Sequence, residues 1–79
     1  MVGIINQMRS NARLPKSLGR KIQKARISTG LTQEELAEKV QVSRAYMGFI
    51  EQGRRIPSLQ KLERISKNLG VSLSSLVGT

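Results

Sequence analysis

An all-α domain of five helices is the fold class that the sequence predicts, and three observations lead there. Apolar residues recur at spacings of three and four through most of the chain, and no segment alternates as a strand would. A serine or threonine stands just ahead of four of these runs, where a side-chain oxygen caps a helix N-terminus. Glycine follows three of them, at Gly30, Gly53 and Gly70, where a helix commonly ends.

Helix one is marked by Leu18, Ile22, Ala25 and Thr29, which share one face and stop before Gly30. Thr32 and Glu35 have the spacing of a capping box, and they open a second helix with Leu36, Ala37 and Val40 on its inner side. Ser43 caps a third helix, containing Met47 and Ile50, after only two or three residues of turn. Arg54, Arg55, Ile56 and Pro57 form a short basic loop, and Ser58 caps a fourth helix with Leu59, Leu62, Ile65 and Leu69 inside. Ser72 opens a last short helix in which Leu73, Leu76 and Val77 face inward or toward a partner. One buried cluster is expected from Ile22, Leu36, Val40, Met47, Ile50, Leu62, Ile65 and Leu69. Residues 1–15 are read as a basic N-terminal arm, either disordered or an extra short helix, because Gly3, Asn6, Ser10 and Asn11 weaken the stripe of Ile4, Ile5, Met8 and Ala12. The folded domain is expected over residues 16–79.

With 79 residues, 38 % hydrophobic, the chain has room for one domain. Such a chain buries roughly 60 % of its unfolded surface, so it depends on a well-packed helical core or a partner. Cysteine and histidine are absent, which removes disulfides, the usual zinc sites and every Cys-His or Ser-His nucleophile pair. Aspartate is absent too, and Glu34, Glu35, Glu38, Glu51 and Glu63 make no pair resembling a catalytic site. Neither an enzyme, a metal site nor a cofactor is expected. The formal charge is +9 and lopsided: residues 1–30 hold seven basic and no acidic groups, the remainder seven basic and five acidic. That field attracts a polyanion, a nucleic acid or an anionic membrane surface. A membrane-surface helix needs Trp or Phe on its apolar face, and Phe49 is the one such residue. No run approaches the length of a membrane span, and no secretory leader is recognisable, so a cytoplasmic protein is expected.

Two short helices joined by a tight turn make a helix-turn-helix, whose second helix fits the major groove of duplex DNA. The stretch LTQEELAEKVQVSRAYMGFIEQGRRIPSLQKLERISKNLGVSLSSL resembles the phage repressor and Cro-like helix-turn-helix family, regulators of the xenobiotic-response-element type. The resemblance rests on Gln33 opening the second helix, Ala37 where two helices touch, and Ser43, Arg44 and Tyr46 opening the third. Ile50, Glu51 and Gly53 close that helix, and Pro57, Ser58 and Leu59 lead into the fourth. It implies a five-helix, lambda-repressor-like DNA-binding domain that works as a homodimer on double-stranded DNA. It also implies an ion pair between Arg26 and Glu51.

A helix entering a groove offers its N-terminal residues and one exposed face to the bases. Arg44 is the leading base-reading candidate, since a guanidinium matches the two acceptors of guanine. Ala45 suits a thymine methyl; Tyr46 either reaches phosphate or base, or packs on the protein. Phe49 stands where family members often carry a polar residue; it either meets thymine or folds back on the basic loop. Gly48, in mid-helix, points to close DNA approach or to tight packing. Gln41 occupies a turn where glycine is common, at a strain of roughly 1 kcal/mol if left-handed. Gln33 and Ser43, at helix N-termini, and Arg54 and Arg55 in the loop are the phosphate-binding candidates.

A sequence-specific transcriptional regulator, a repressor on a near-palindromic operator, is the function expected, with regulation by concentration, dimerisation or a partner such as RNA polymerase. A phage repressor, a restriction-system controller and an antitoxin fit equally. Val71, Leu73, Leu76 and Val77 are the expected dimer interface. The alternative is an antitoxin-like interaction module that holds a toxic enzyme through this C-terminal apolar face.

Overall fold

The computed structural model describes the backbone of residues 2–78 and the side chains of residues 16–78. Five helices follow one another: α1 (Val2–Thr29), α2 (Gln33–Lys39), α3 (Arg44–Glu51), α4 (Leu59–Leu69) and α5 (Leu73–Val77). The side chains of residues 1–15, the expected arm, lie outside the described set.

Local chemistry sets the helix ends. Thr32 and Glu35 form the complete capping box: the Glu35 amide donates to Thr32 Oγ1 at 3.0 Å and the Thr32 amide to Glu35 Oε1 at 2.8 Å. Ser43, Ser58 and Ser72 cap α3, α4 and α5 by accepting from the amides of Tyr46, Lys61 and Ser75. The turn between α2 and α3 contains Gln41 at φ +62°, a left-handed conformation that costs an L-residue roughly 1 kcal/mol. Two basic residues of α4 brace it. Lys61 Nζ donates to the Val40 and Gln41 carbonyls at 3.2 and 3.4 Å, and Arg64 donates to Gln41 Oε1 at 2.8 Å.

α1 lies across α3 and also touches α4 and α5, while α2 and α3 pack on each other. The close crossing of α1 over α3 depends on Gly19, where a Cβ would stand 2.5 Å from the Ile50 and Glu51 carbonyl oxygens. The core contains Leu18, Ile22, Leu36, Ala37, Val40, Met47, Ile50, Leu62, Ile65, Leu69 and Leu76. All eight residues expected in the cluster are there. Leu59, expected inside, is 62 % exposed. It is the first residue of α4, about one turn before buried Leu62, and at this end of the helix Pro57 rather than Leu59 is buried. Leu76, expected at the interface, is 2 % exposed because α5 turns it into the chain's own core between α1 and α4.

Candidate nucleic-acid interface

α3 is locked by its inner face and free on its outer one. Met47 and Ile50 are buried, whereas Arg44, Ala45 and Gln52 are exposed and Phe49 is half-buried along the opposite stripe. The two helices of the motif are separated by four residues, 40–43, and the side chain of Gln33, at the start of α2, reaches both ends of α3, at Arg44 and Glu51.

The frame is an ion pair. Arg26 Nε donates to Glu51 Oε2 at 2.7 Å and Nη2 to Oε1 at 3.1 Å, a two-point contact joining α1 to the last turn of α3. A third bond, Arg26 Nη1 to the Leu31 carbonyl at 2.8 Å, ties in the segment before α2. The pair is nearly sealed from water, at 8 % and 7 % exposure. From Glu51 the network runs outward: Gln33 Nε2 donates to Glu51 Oε1 at 3.0 Å, and Arg44 Nη1 donates to Gln33 Oε1 at 3.4 Å. The amide of Gln33 thus spans the distance from the buried latch to the exposed arginine. One Nε2 hydrogen remains for an outside acceptor.

The other candidates fall into place around this line. Ser43 spends an oxygen lone pair on the Tyr46 amide but keeps its hydroxyl hydrogen at an exposed position. Tyr46 is half-buried and packs against the core. Gly48 is buried, but the neighbours a Cβ would meet, Gln52 and Gln33, lie at 3.8 and 3.9 Å, ordinary contact distances that do not demand glycine for packing. Arg54 and Arg55 are exposed at the end of α3, where the loop turns at Gly53 with φ +77°. A side chain at Gly53 would also strike the backbone of Lys16, so this corner is pressed onto α1. At the C-terminal face, Val71 and Leu73 are partly buried against the core and Val77 is 41 % exposed.

Sequence reasoning passed over Gln52, Lys61 and Arg64. Gln52 falls four residues after Gly48 and seven after Ala45, so helical spacing from the expected reading residues would have found it. The bracing of the turn by Lys61 and Arg64 joins residues about twenty positions apart, and no local pattern signals it.

A five-helix core that holds α3 by one face and leaves the other free beside a basic loop defines a helix-turn-helix domain of the DNA-binding kind. The chain belongs to the helix-turn-helix family, whose model matches residues 22–76. It is 42 % identical over 62 residues to the immunity repressor protein of Bacillus phage phi105, covering 78 % of this chain and 43 % of that one. It is 39 % identical over 71 residues to control protein C.BamHI of Bacillus amyloliquefaciens, covering 89 % and 85 %. Among solved structures, the restriction-modification controller protein C.AhdI of Aeromonas hydrophila superposes with a TM-score of 0.73 at 30 % identity, covering 77 % of this chain and 92 % of that one. The biofilm master regulator SinR in complex with DNA superposes at 0.70 with 38 % identity, covering 75 % and 95 %. These relatives are regulators, not enzymes. Among the described residues no helix is long and apolar enough to cross a membrane.

Proposed function

We propose that this chain is a sequence-specific transcriptional repressor that binds a near-palindromic operator as a homodimer. The observation that carries the proposal is the free outer face of α3, headed by exposed Arg44, on a helix whose inner face is latched to α1 through Glu51. Arg44 reads a guanine edge, with Ala45 beside it on the groove side. Ser43, the spare amide hydrogen of Gln33, and Arg54 and Arg55 position the helix on phosphates. Relatives named as repressors and control proteins support the same reading, as does SinR solved on DNA. Val77, with the outer edges of Val71 and Leu73, is the surface offered to the second copy. A two-fold axis there places recognition helices about 34 Å apart, one turn of duplex.

The test is competition binding, at two salt concentrations, with an operator selected from a genomic library and a random duplex. About three phosphate contacts per subunit give a dimer a log-log salt slope near −5. Arg55→Ala should lessen the slope and weaken both duplexes alike, whereas Arg44→Ala should cost about 1–3 kcal/mol on the operator and far less on random DNA. Equal losses for Arg44→Ala on both duplexes would make Arg44 a phosphate clamp and overturn its reading role. A strictly monomeric species with and without operator, in sedimentation at high concentration, would overturn the dimer.

A further inference from the structure

We propose that Phe49 is a positioning residue that holds Arg54 against a phosphate of the duplex backbone, rather than a reader of bases; this rests on the DNA-binding function proposed above. The guanidinium carbon of Arg54 stands 4.9 Å from the centroid of the Phe49 ring. That is within the range at which the negative face of an aromatic ring attracts a cation. The same residue also anchors the loop through its backbone: the Phe49 carbonyl accepts from the Arg54 amide at 2.8 Å and from the Arg55 amide at 3.3 Å. Ring and carbonyl together set the start of the basic loop, and Phe49, Arg54 and Arg55 line one shallow notch on the surface.

The geometry suits phosphate. A guanidinium held over a ring through its charge keeps N–H donors for other partners, and two such donors are what grip a phosphate at two points. No carboxylate among the described residues pairs with Arg54 or Arg55, so the charge over the ring is not neutralised from within. A ring covered on one face by an arginine offers bases less than a bare one. An aliphatic or amide side chain at position 49 would fill the space without supplying the π face. At an exposed site such a contact is worth about two- to fivefold in an equilibrium constant.

The experiment uses the full chain and a 30-base-pair duplex of random sequence, with affinity followed by fluorescence anisotropy. Helicity is checked by circular dichroism. Phe49→Leu should weaken the duplex about two- to fivefold, Phe49→Tyr should restore it, and Phe49→Leu combined with Arg54→Ala should bind no worse than Arg54→Ala alone. Phe49→Met serves in place of leucine if that variant loses helicity. In the free protein, the Arg54 side-chain protons should be shifted upfield by the ring in nuclear magnetic resonance spectra and lose that shift in Phe49→Leu. Wild-type affinity in a folded Phe49→Leu, or additive losses in the double variant, overturns the proposal while leaving the DNA-binding function standing. A normal ring shift in a protein that binds no duplex overturns both.

Discussion

Removing one partner of the Arg26–Glu51 pair should be among the most damaging single changes available in this chain. In Glu51→Ala the guanidinium keeps its bond to the Leu31 carbonyl but loses both carboxylate contacts, at 2.7 and 3.1 Å, in surroundings that exclude water. Gln33 loses its acceptor at the same time. A buried charge left without its partner costs about 3–5 kcal/mol. At about 0.05–0.15 kcal/mol per residue, 79 residues carry about 4–12 kcal/mol in total, so the variant should sit at or near the edge of folding. Replacing both partners by apolar residues, Arg26→Met with Glu51→Leu, should cost much less, because no charge remains to desolvate and the volume is filled. The Leu31 carbonyl and the Gln33 amide would still lose a partner, about 1 kcal/mol each. Urea unfolding of the wild type, both single variants and an alanine double variant gives the coupling energy directly. A coupling near zero, or a Glu51→Ala loss within the ±0.5 kcal/mol of ordinary surface changes, would refute the latch. Because Glu51 supports Gln33, and Gln33 supports Arg44, the apolar pair should fold yet bind operator less tightly than the wild type.

Two glycine substitutions should move stability in opposite directions. Gly19→Ala forces a methyl to 2.5 Å from two backbone carbonyls and should unfold the domain or shift α1, read as a lost or broadened melting transition. Gly48→Ala meets only side chains at 3.8 and 3.9 Å and gains helix propensity, so it should raise stability by about 1 kcal/mol; destabilisation would mean that the site is tighter than its distances indicate. For pH, the Thr32 amide hydrogen bond holds the Glu35 carboxyl below the usual glutamate range. A lowered folded-state value contributes stability above the ordinary glutamate pKa and loses it as pH falls through the lowered one. The melting difference between the wild type and Glu35→Gln should therefore shrink as pH falls through and below the ordinary glutamate value of about 4.3, and a constant difference would remove Glu35 as its source.

Helix starts were legible because capping is local: Thr32, Ser43, Ser58 and Ser72 each reach an amide three residues on, within one turn of the same helix. The core was legible for a related reason, since helical spacing alone puts Leu62, Ile65 and Leu69 on one side. The same spacing assigned Leu59 wrongly, because periodicity gives the face a residue occupies but not where along the helix the core ends. It also allowed Leu76 to face core or partner, and the interface expected for it gave way to the core because α5 packs on α1 and α4. Arg26 and Glu51 were linked by resemblance, while their extension through Gln33 to Arg44 was not visible at all. Nor was the contact between the Phe49 ring and Arg54, which depends on the path of the loop after α3. Contacts across eighteen or twenty-five residues depend on how whole helices cross, a geometry decided by the joint packing of all five. The chain's one-dimensional order therefore determined where α2 to α5 begin and which residues share an apolar face, and tertiary structure decided which polar side chains meet between the helices.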